Sequence, residues 1–433
     1  MHLVTVLVTG TGCTLAEGLG DPKPLGADSP PGDGGLDDAG AIDLNVQAVS
    51  LSVGGAHACA VVQGAEWSPD NGTVRCWGAN VGGELGIDSS ATPFSRQPRP
   101  VEGRDGAKFG DVASLALGVD YSCGVTKDGY LFCWGAVPGE SDNGVHRESN
   151  VPPFAPSQVD LRTSPFVGVT DVAAGTGGGC VLDADSLVCW GRGALELGTS
   201  LDAGVTNLDG GGAVVSDVGG ASVGGAHACI IATRRGVRDV DCWGDNTYGQ
   251  AGLPASADGV AFPSPVGLSD IGEVTQVAAG RWHSCALLTS GDVYCWGRND
   301  RGQLGNSAVP GDSNVPVRVA FSTKAQAVAL AIGDDHACAA MSDESVQCWG
   351  DDALGQLGFP SAAGYSAQPA NAQRILSGSI GDLPRVKRIA AGGGTTCVIR
   401  WGDPQVWCWG QNDAGQAGQS PSASVPVATP VAW

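Results

Sequence analysis

Basic charge is scarce in this chain. Of 433 residues only 23 are Lys or Arg, against 45 Asp or Glu, which leaves a net charge of −22. Nucleic-acid binding rests on releasing counterions with a basic patch, so DNA and RNA are not expected partners. All charged residues together make up 16%, against about 25% in an average globular chain. Lysine occurs only at 23, 108, 127, 324 and 387, a bias of high-GC bacterial genomes. No run of 18 apolar residues exists to cross a bilayer as a helix. There is no amphipathic helix of any length, no Cys-x-x-Cys, no glycine loop ending in Lys-Ser/Thr, and no Asp spacing of a calcium loop. No cofactor or metal is expected.

What the chain does have is glycine, at 69 positions, and a 42% apolar share. The first gives tight turns and the second a substantial core. It also has 15 cysteines, fourteen of them in close pairs. Cys59 goes with Cys76, Cys123 with Cys133, Cys180 with Cys189, Cys229 with Cys242, Cys285 with Cys295, Cys338 with Cys348, and Cys397 with Cys408. Zinc half-sites need two to four residues between ligands, so these wider gaps read as disulfides, with buried free thiols as the alternative. In Cys285–Cys295 a three-residue loop, Thr289-Ser290-Gly291, sets the two cysteines opposite each other, and Gly129 matches Gly291 in the second pair. Each such closed loop is expected to contribute about 2–3 kcal/mol.

Every second cysteine opens a Cys-Trp-Gly triplet, beginning at 76, 133, 189, 242, 295, 348 and 408. That near-regular period of 53–60 residues marks a repeat architecture. Residues 273–305 show the unit: a strand ending at Gly280, a cysteine hairpin, and a turn Asn-x-x-Gly-Gln-Leu-Gly. A Pro-Val strand, 315–319, follows. About four short strands per unit, repeated seven times, predict an all-β, seven-bladed β-propeller over 43–433.

The unit resembles the regulator of chromosome condensation (RCC1) repeat. The likeness is fullest at Gly280, His283, Trp296, Gly297, Asn299, Gly302, Gln303, Leu304 and Gly305, and close at Gly333, His336, Trp349, Asp352, Gln356, Leu357 and Gly358. Blades one, four and seven keep Asn80, Gly83 and Glu84; Asn246, Gly249 and Gln250; Asn412, Gly415 and Gln416. Blades two and three lose the pattern after Trp134-Gly135 and Trp190-Gly191. The resemblance implies a seven-bladed propeller acting through protein contacts, and paired cysteines suit an exported variant. Nucleotide exchange on a small GTPase does not suit that compartment. The trailing Pro-Val strand, 425–431, is expected to complete blade one and close the ring.

Residues 1–12 read as a signal segment that is short of the usual length, ahead of Cys13 as a lipid-attachment residue. Residues 13–42, rich in Gly, Pro and Asp, read as a tether. The expected address is the cell envelope, as an outer-membrane or surface lipoprotein, or else the periplasm or exterior. His57, His227, His283 and His336 share one repeat position and are expected to bond neighbouring backbone. His146 reads as a solvated loop residue. Phe94, Phe154, Phe166, Phe262, Phe359 and Tyr365 lie in the variable loops and are candidate binding anchors. The leading functional expectation is a non-enzymatic module that binds a cell-surface protein or glycan, touching the membrane through the lipid only. The alternative is a propeller hydrolase or lyase acting on polysaccharide, which needs convergent carboxylates.

Overall fold

The computed structural model describes residues 8–9, 12–13, 46–64, 71–103, 106–138, 145–147, 152–161, 168–183, 186–191, 215–234, 237–359, 361–376 and 379–433. The expectations for the tether and for Phe166 fall outside them. Seven antiparallel sheets follow one another along the chain, and no helix occurs among the described residues. Blade five is the simplest: innermost strand Val274–Ala279, then His283–Leu288, Val293–Gly297 and outermost Ser313–Arg318. Blades one, four and six repeat this order, and blade seven adds the hairpin Gln373–Leu376 and Ser379–Asp382 outside its fourth strand, Arg374 pairing parallel with Ala428. Blade two adds Val145–Arg147 outside its fourth strand, so the backbone at His146 is paired rather than looped. Blade three shows three strands among the described residues.

The hairpin expected from the cysteine spacing forms in every blade, and its two cysteines are bonded rather than free thiols. Cys59 is joined to Cys76, Cys123 to Cys133, Cys180 to Cys189 and Cys229 to Cys242. Cys285 is joined to Cys295, Cys338 to Cys348 and Cys397 to Cys408. In each pair the partners stand directly opposite on neighbouring strands, with Cα atoms 4.0–4.1 Å apart. Gly129 and Gly291 take φ of 79° and 81°, the left-handed region a side chain resists. The inner three strands of blade five are buried almost throughout because both sheet faces meet neighbouring blades. Only the outermost strand alternates toward solvent.

Ring closure differs from expectation. The Pro-Val strand of each unit pairs with the Cys-Trp-Gly strand of its own blade, as Cys295 does with Val317. Accordingly Ser424–Pro430 is the fourth strand of blade seven, and blade one supplies its own in Phe94–Pro100. The long turn after Trp-Gly leaves enough chain to return along the same blade, so no strand is spare. Side chains close the ring instead: Val431 and Ala417 pack with Leu51, Val53 and Trp77 of blade one, and Trp433 stands edge-on to Trp77 at 6.2 Å. At the other end of the chain Val8–Thr9 pairs with Gly12–Cys13, and this ribbon lies against the innermost strands around the axis.

Candidate functional site

The joints between blades explain most of the repeat motif, and so isolate what it does not require. His57 of blade one reaches Ser122 of blade two, with Nε2 2.8 Å from Oγ. Ser122 gives its own proton to the Glu84 carbonyl at 2.9 Å. It must therefore accept from the imidazole, which makes the ring the Nε2–H tautomer. The same carbonyl accepts the indole N–H of Trp134 at 2.9 Å. His227, Ser284, the Gln250 carbonyl and Trp296 repeat this arrangement, as do His336, Thr396, the Gln356 carbonyl and Trp409. The expected backbone partner thus gives way to a hydroxyl on the next blade. Burial holds each of the four imidazoles at a pKa of about 3, so all stay neutral.

A simple correspondence runs round the ring. Where one blade offers His57, His227 or His336, the next offers Ser122, Ser284 or Thr396. Where a blade offers Tyr121, Gly178 or Thr395, the next has Gly179, Ala228 or Ala58. Tyr121 is long enough to reach the Gly178 carbonyl directly at 2.7 Å. The one exception is between blades five and six, where His283 faces Ala337 and neither ring nitrogen has a partner. Of that arrangement the joint keeps the Trp349 indole bond to the Gln303 carbonyl, 2.9 Å, and it adds a two-way bond between the Gln276 amide and the Leu330 backbone, at 2.6 and 3.0 Å.

Directly above this joint the repeat departs from its pattern again. The two residues before the histidine position turn the chain at the mouth of the axis. They read Gly55-Ala56, Val119-Asp120, Thr176-Gly177, Gly225-Ala226 and Gly393-Gly394 in five blades. Small residues suit them: a Cβ on Gly393 would stand 2.1 Å from the Gly55 carbonyl oxygen. Blade five instead carries Arg281-Trp282 and blade six Asp334-Asp335. Asp335 meets the joint through the Gln303 amide, while the histidine and indole bonds of the joints do not involve the side chains of Arg281, Trp282 or Asp334.

They join a closed circuit of contacts over blades four to six. Arg281 lies over the Trp282 ring at 5.5 Å, Trp282 meets Tyr248 edge-on at 5.7 Å, and Arg298 covers Tyr248 at 5.1 Å. Arg298 then pairs with Asp300 at 2.6 Å, and the Gln303 amide donates to both Asp300 and Asp335, at 3.1 and 3.3 Å. Arg301 approaches Asp351 at 3.9 Å. Arg281 is exposed, while Trp282, Tyr248, Asp334 and Asp335 are half-buried. Burial raises the pKa of Asp334, and the neighbouring Asp335 carboxylate adds to it, with Arg281 opposing. Asp351 is raised mainly by burial. No group of three metal-ligating side chains is gathered among the described residues.

The loop aromatics are scattered rather than gathered. Phe94, Phe262 and Tyr365 stand exposed on the outer strands of blades one, four and six. Phe359 packs beneath its loop, and Phe154 is half-buried, its backbone lying against Gly83. Sequence reasoning passed over Arg281, Trp282 and Tyr248. Aligning the seven turns before the histidine would have found the first two, since a tryptophan stands there once. Tyr248 joins them only in space.

Comparison with known proteins agrees with this architecture. Residues 240–287 and 290–340, and in a second description 274–303 and 327–356, match the regulator of chromosome condensation (RCC1) repeat. The Arabidopsis thaliana mitochondrial RCC1 domain-containing protein RUG3 is 26% identical over 321 residues, 72% of this chain and 67% of that protein. The human E3 ubiquitin-protein ligase HERC2 is 28% identical over 82% of this chain, which spans only 7% of HERC2. Among solved structures, yeast RCC1 (Prp20) bound to Kap60 superposes with a TM-score of 0.66 at 18% identity, covering 95% of this chain and 91% of that one. Human WBSCR16 gives 0.64 at 20%, covering 82% and 92%. At such identities the likeness speaks for the fold. The chain is a seven-bladed propeller, and its residues 240–356 are similar to RCC1 repeats.

Proposed function

We propose that this protein is a non-enzymatic recognition module that binds a partner protein through the Arg281-Trp282 and Asp334-Asp335 sector of its axial mouth. The observation that carries the reading is the departure itself. Apart from Asp120 of blade two, the other five blades make that turn with small or apolar residues, and two adjacent blades place four large or charged side chains there. Tryptophan, tyrosine and arginine are the residue types that dominate binding hot spots. Solved relatives of the fold are described with protein partners, Prp20p with Gsp1p and histones and with Kap60. The ligase activity of the HERC relatives belongs to proteins of which this chain matches a small part, and is not carried over.

The rest of the proposal concerns address. Seven cystine pairs and the unpaired Cys13 favour an exported, envelope-tethered protein with a lipid on Cys13. Processing at Cys13 removes Val8–Gly12 and with them the ribbon at the axis. Two measurements test these claims. A photo-crosslinking residue at position 282 in cells should capture a polypeptide, and capture of none overturns the recognition reading. Intact mass from membrane and soluble fractions should show a chain starting at an acylated Cys13. Reduction should add about 14 Da, two hydrogens for each of seven bridges. Unprocessed chain with free thiols would place it in a reducing compartment.

A further inference from the structure

We infer that the blade five–six sector of the mouth docks a lysine- or arginine-bearing segment of the partner, with Trp282 as its apolar floor. This deepens the recognition reading above and rests on it. The argument is one of charge left over. Arg298 is taken by Asp300 at 2.6 Å, and Arg301 lies 3.9 Å from Asp351. Asp335 receives only the uncharged Gln303 amide, at 3.3 Å. Asp334 therefore has Arg281 as its nearby cation, and that guanidinium is drawn over the Trp282 ring, while Asp335 is left with the neutral amide. Asp334 is held above the usual carboxylate range by burial and by Asp335, so an incoming cation relieves both.

The surroundings add to this imbalance. Asp120, Asp245 and Asp413 occupy turns on the same face, while the described lysines, 108, 127, 324 and 387, precede or join strands at the opposite end of the blades. Arg281, Arg298 and Arg301 share this face, but carboxylates outnumber them, and such an excess steers an oppositely charged partner toward it. The half-exposed rings of Trp282 and Tyr248 then offer the aliphatic stem of a lysine or arginine a flat apolar surface.

The test uses the full chain and two labelled twelve-residue peptides, one alternating Lys and Arg with Ser and Leu, the other with Glu in their place. The wild-type protein should bind the basic peptide and not the acidic one. The double variant Asp334→Asn/Asp335→Asn should weaken binding about tenfold, and Trp282→Ala several-fold. Asp343→Asn/Glu344→Gln, with the same charge change on the opposite face, should alter it less than about twofold. Equal losses in the two double variants would mean diffuse attraction and overturn the site. A wild-type protein indifferent to the basic peptide, yet crosslinked to a polypeptide at 282, would overturn the partner's chemistry and leave the recognition reading standing. No crosslinked polypeptide would remove both.

Discussion

At the scale of single residues, His283 is the most informative. It keeps the position and burial of His57, His227 and His336, yet Ala337 gives it no hydroxyl. Ala337→Ser should restore the bond made elsewhere and raise stability by about 1 kcal/mol. A rise of a few degrees in Tm checks it, and Ser122→Ala should lose a similar amount at the joint between blades one and two. The same four histidines set an acid limit. Unfolded, each titrates near 6.5; folded, near 3. A depressed folded value means their contribution is whole above pH 6.5 and is lost progressively as pH falls toward 3. Each removes up to about 1.4 kcal/mol per pH unit in that window. Glu84, Asp334, Asp351 and Asp352 have raised values and act the other way, gaining for the fold as they protonate. The histidine shifts are the larger, so the urea midpoint should drop between pH 7.5 and 5.5. A constant midpoint would refute this account of the joints.

At the scale of elements, the cysteine hairpin is a unit whose turn chemistry is legible and whose exceptions are costly. Blades two and five place glycine at the left-handed position, whereas blade six places Glu344 there at φ 65°. Its amide still bonds the Met341 carbonyl, so the turn geometry is retained against the preference of its side chain. Glu344→Gly should stabilise by about 0.5–1 kcal/mol, the relief of strain exceeding the added freedom of the unfolded chain. Differential scanning calorimetry of the two forms decides the sign. The turn after Trp-Gly is equally explicit. Asn299 accepts the Leu304 amide at 3.0 Å and donates to the Val309 carbonyl at 2.6 Å, tying the turn to the returning loop. Gly302 lies so close to blade six that a Cβ would stand 2.5 Å from the Ala367 Cα.

At the scale of the whole molecule, the ring is closed by side chains and one indole bond, Trp77 Nε1 to the Gln416 carbonyl at 2.9 Å. Removing residues 421–433 takes away the fourth strand of blade seven together with Val431 and Trp433. Tm should fall sharply, and the near-UV circular dichroism of the Trp77–Trp433 pair should vanish with it. An unchanged Tm would show that the ring holds without them. Open outer edges carry proline: Pro98 and Pro100, Pro263 and Pro265, Pro316, and Pro369 lie in the outermost strands of blades one, four, five and six. A residue without an N–H offers no donor to a further strand, which disfavours edge-to-edge pairing there.

The amino-acid order alone settled the count of blades, the cysteine register and the turns, because each depends on neighbours a few residues away and recurs seven times. Spacing put Cys285 opposite Cys295, and glycine marked where φ turns positive. Repetition also made the histidines visible, but not their partner. Ser122 stands 65 residues from His57, and only packing one blade on the next shows which carbonyl uses the serine proton. Closure went unread for a related reason. A strand's partner is decided by whether the loop before it can turn back, and the sequence records the loop's length but not its path. The candidate site belongs wholly to the folded ring. Tyr248, Trp282, Arg298 and Asp335 come from three blades and 88 positions of chain, and meet because radial stacking brings successive turns to one mouth.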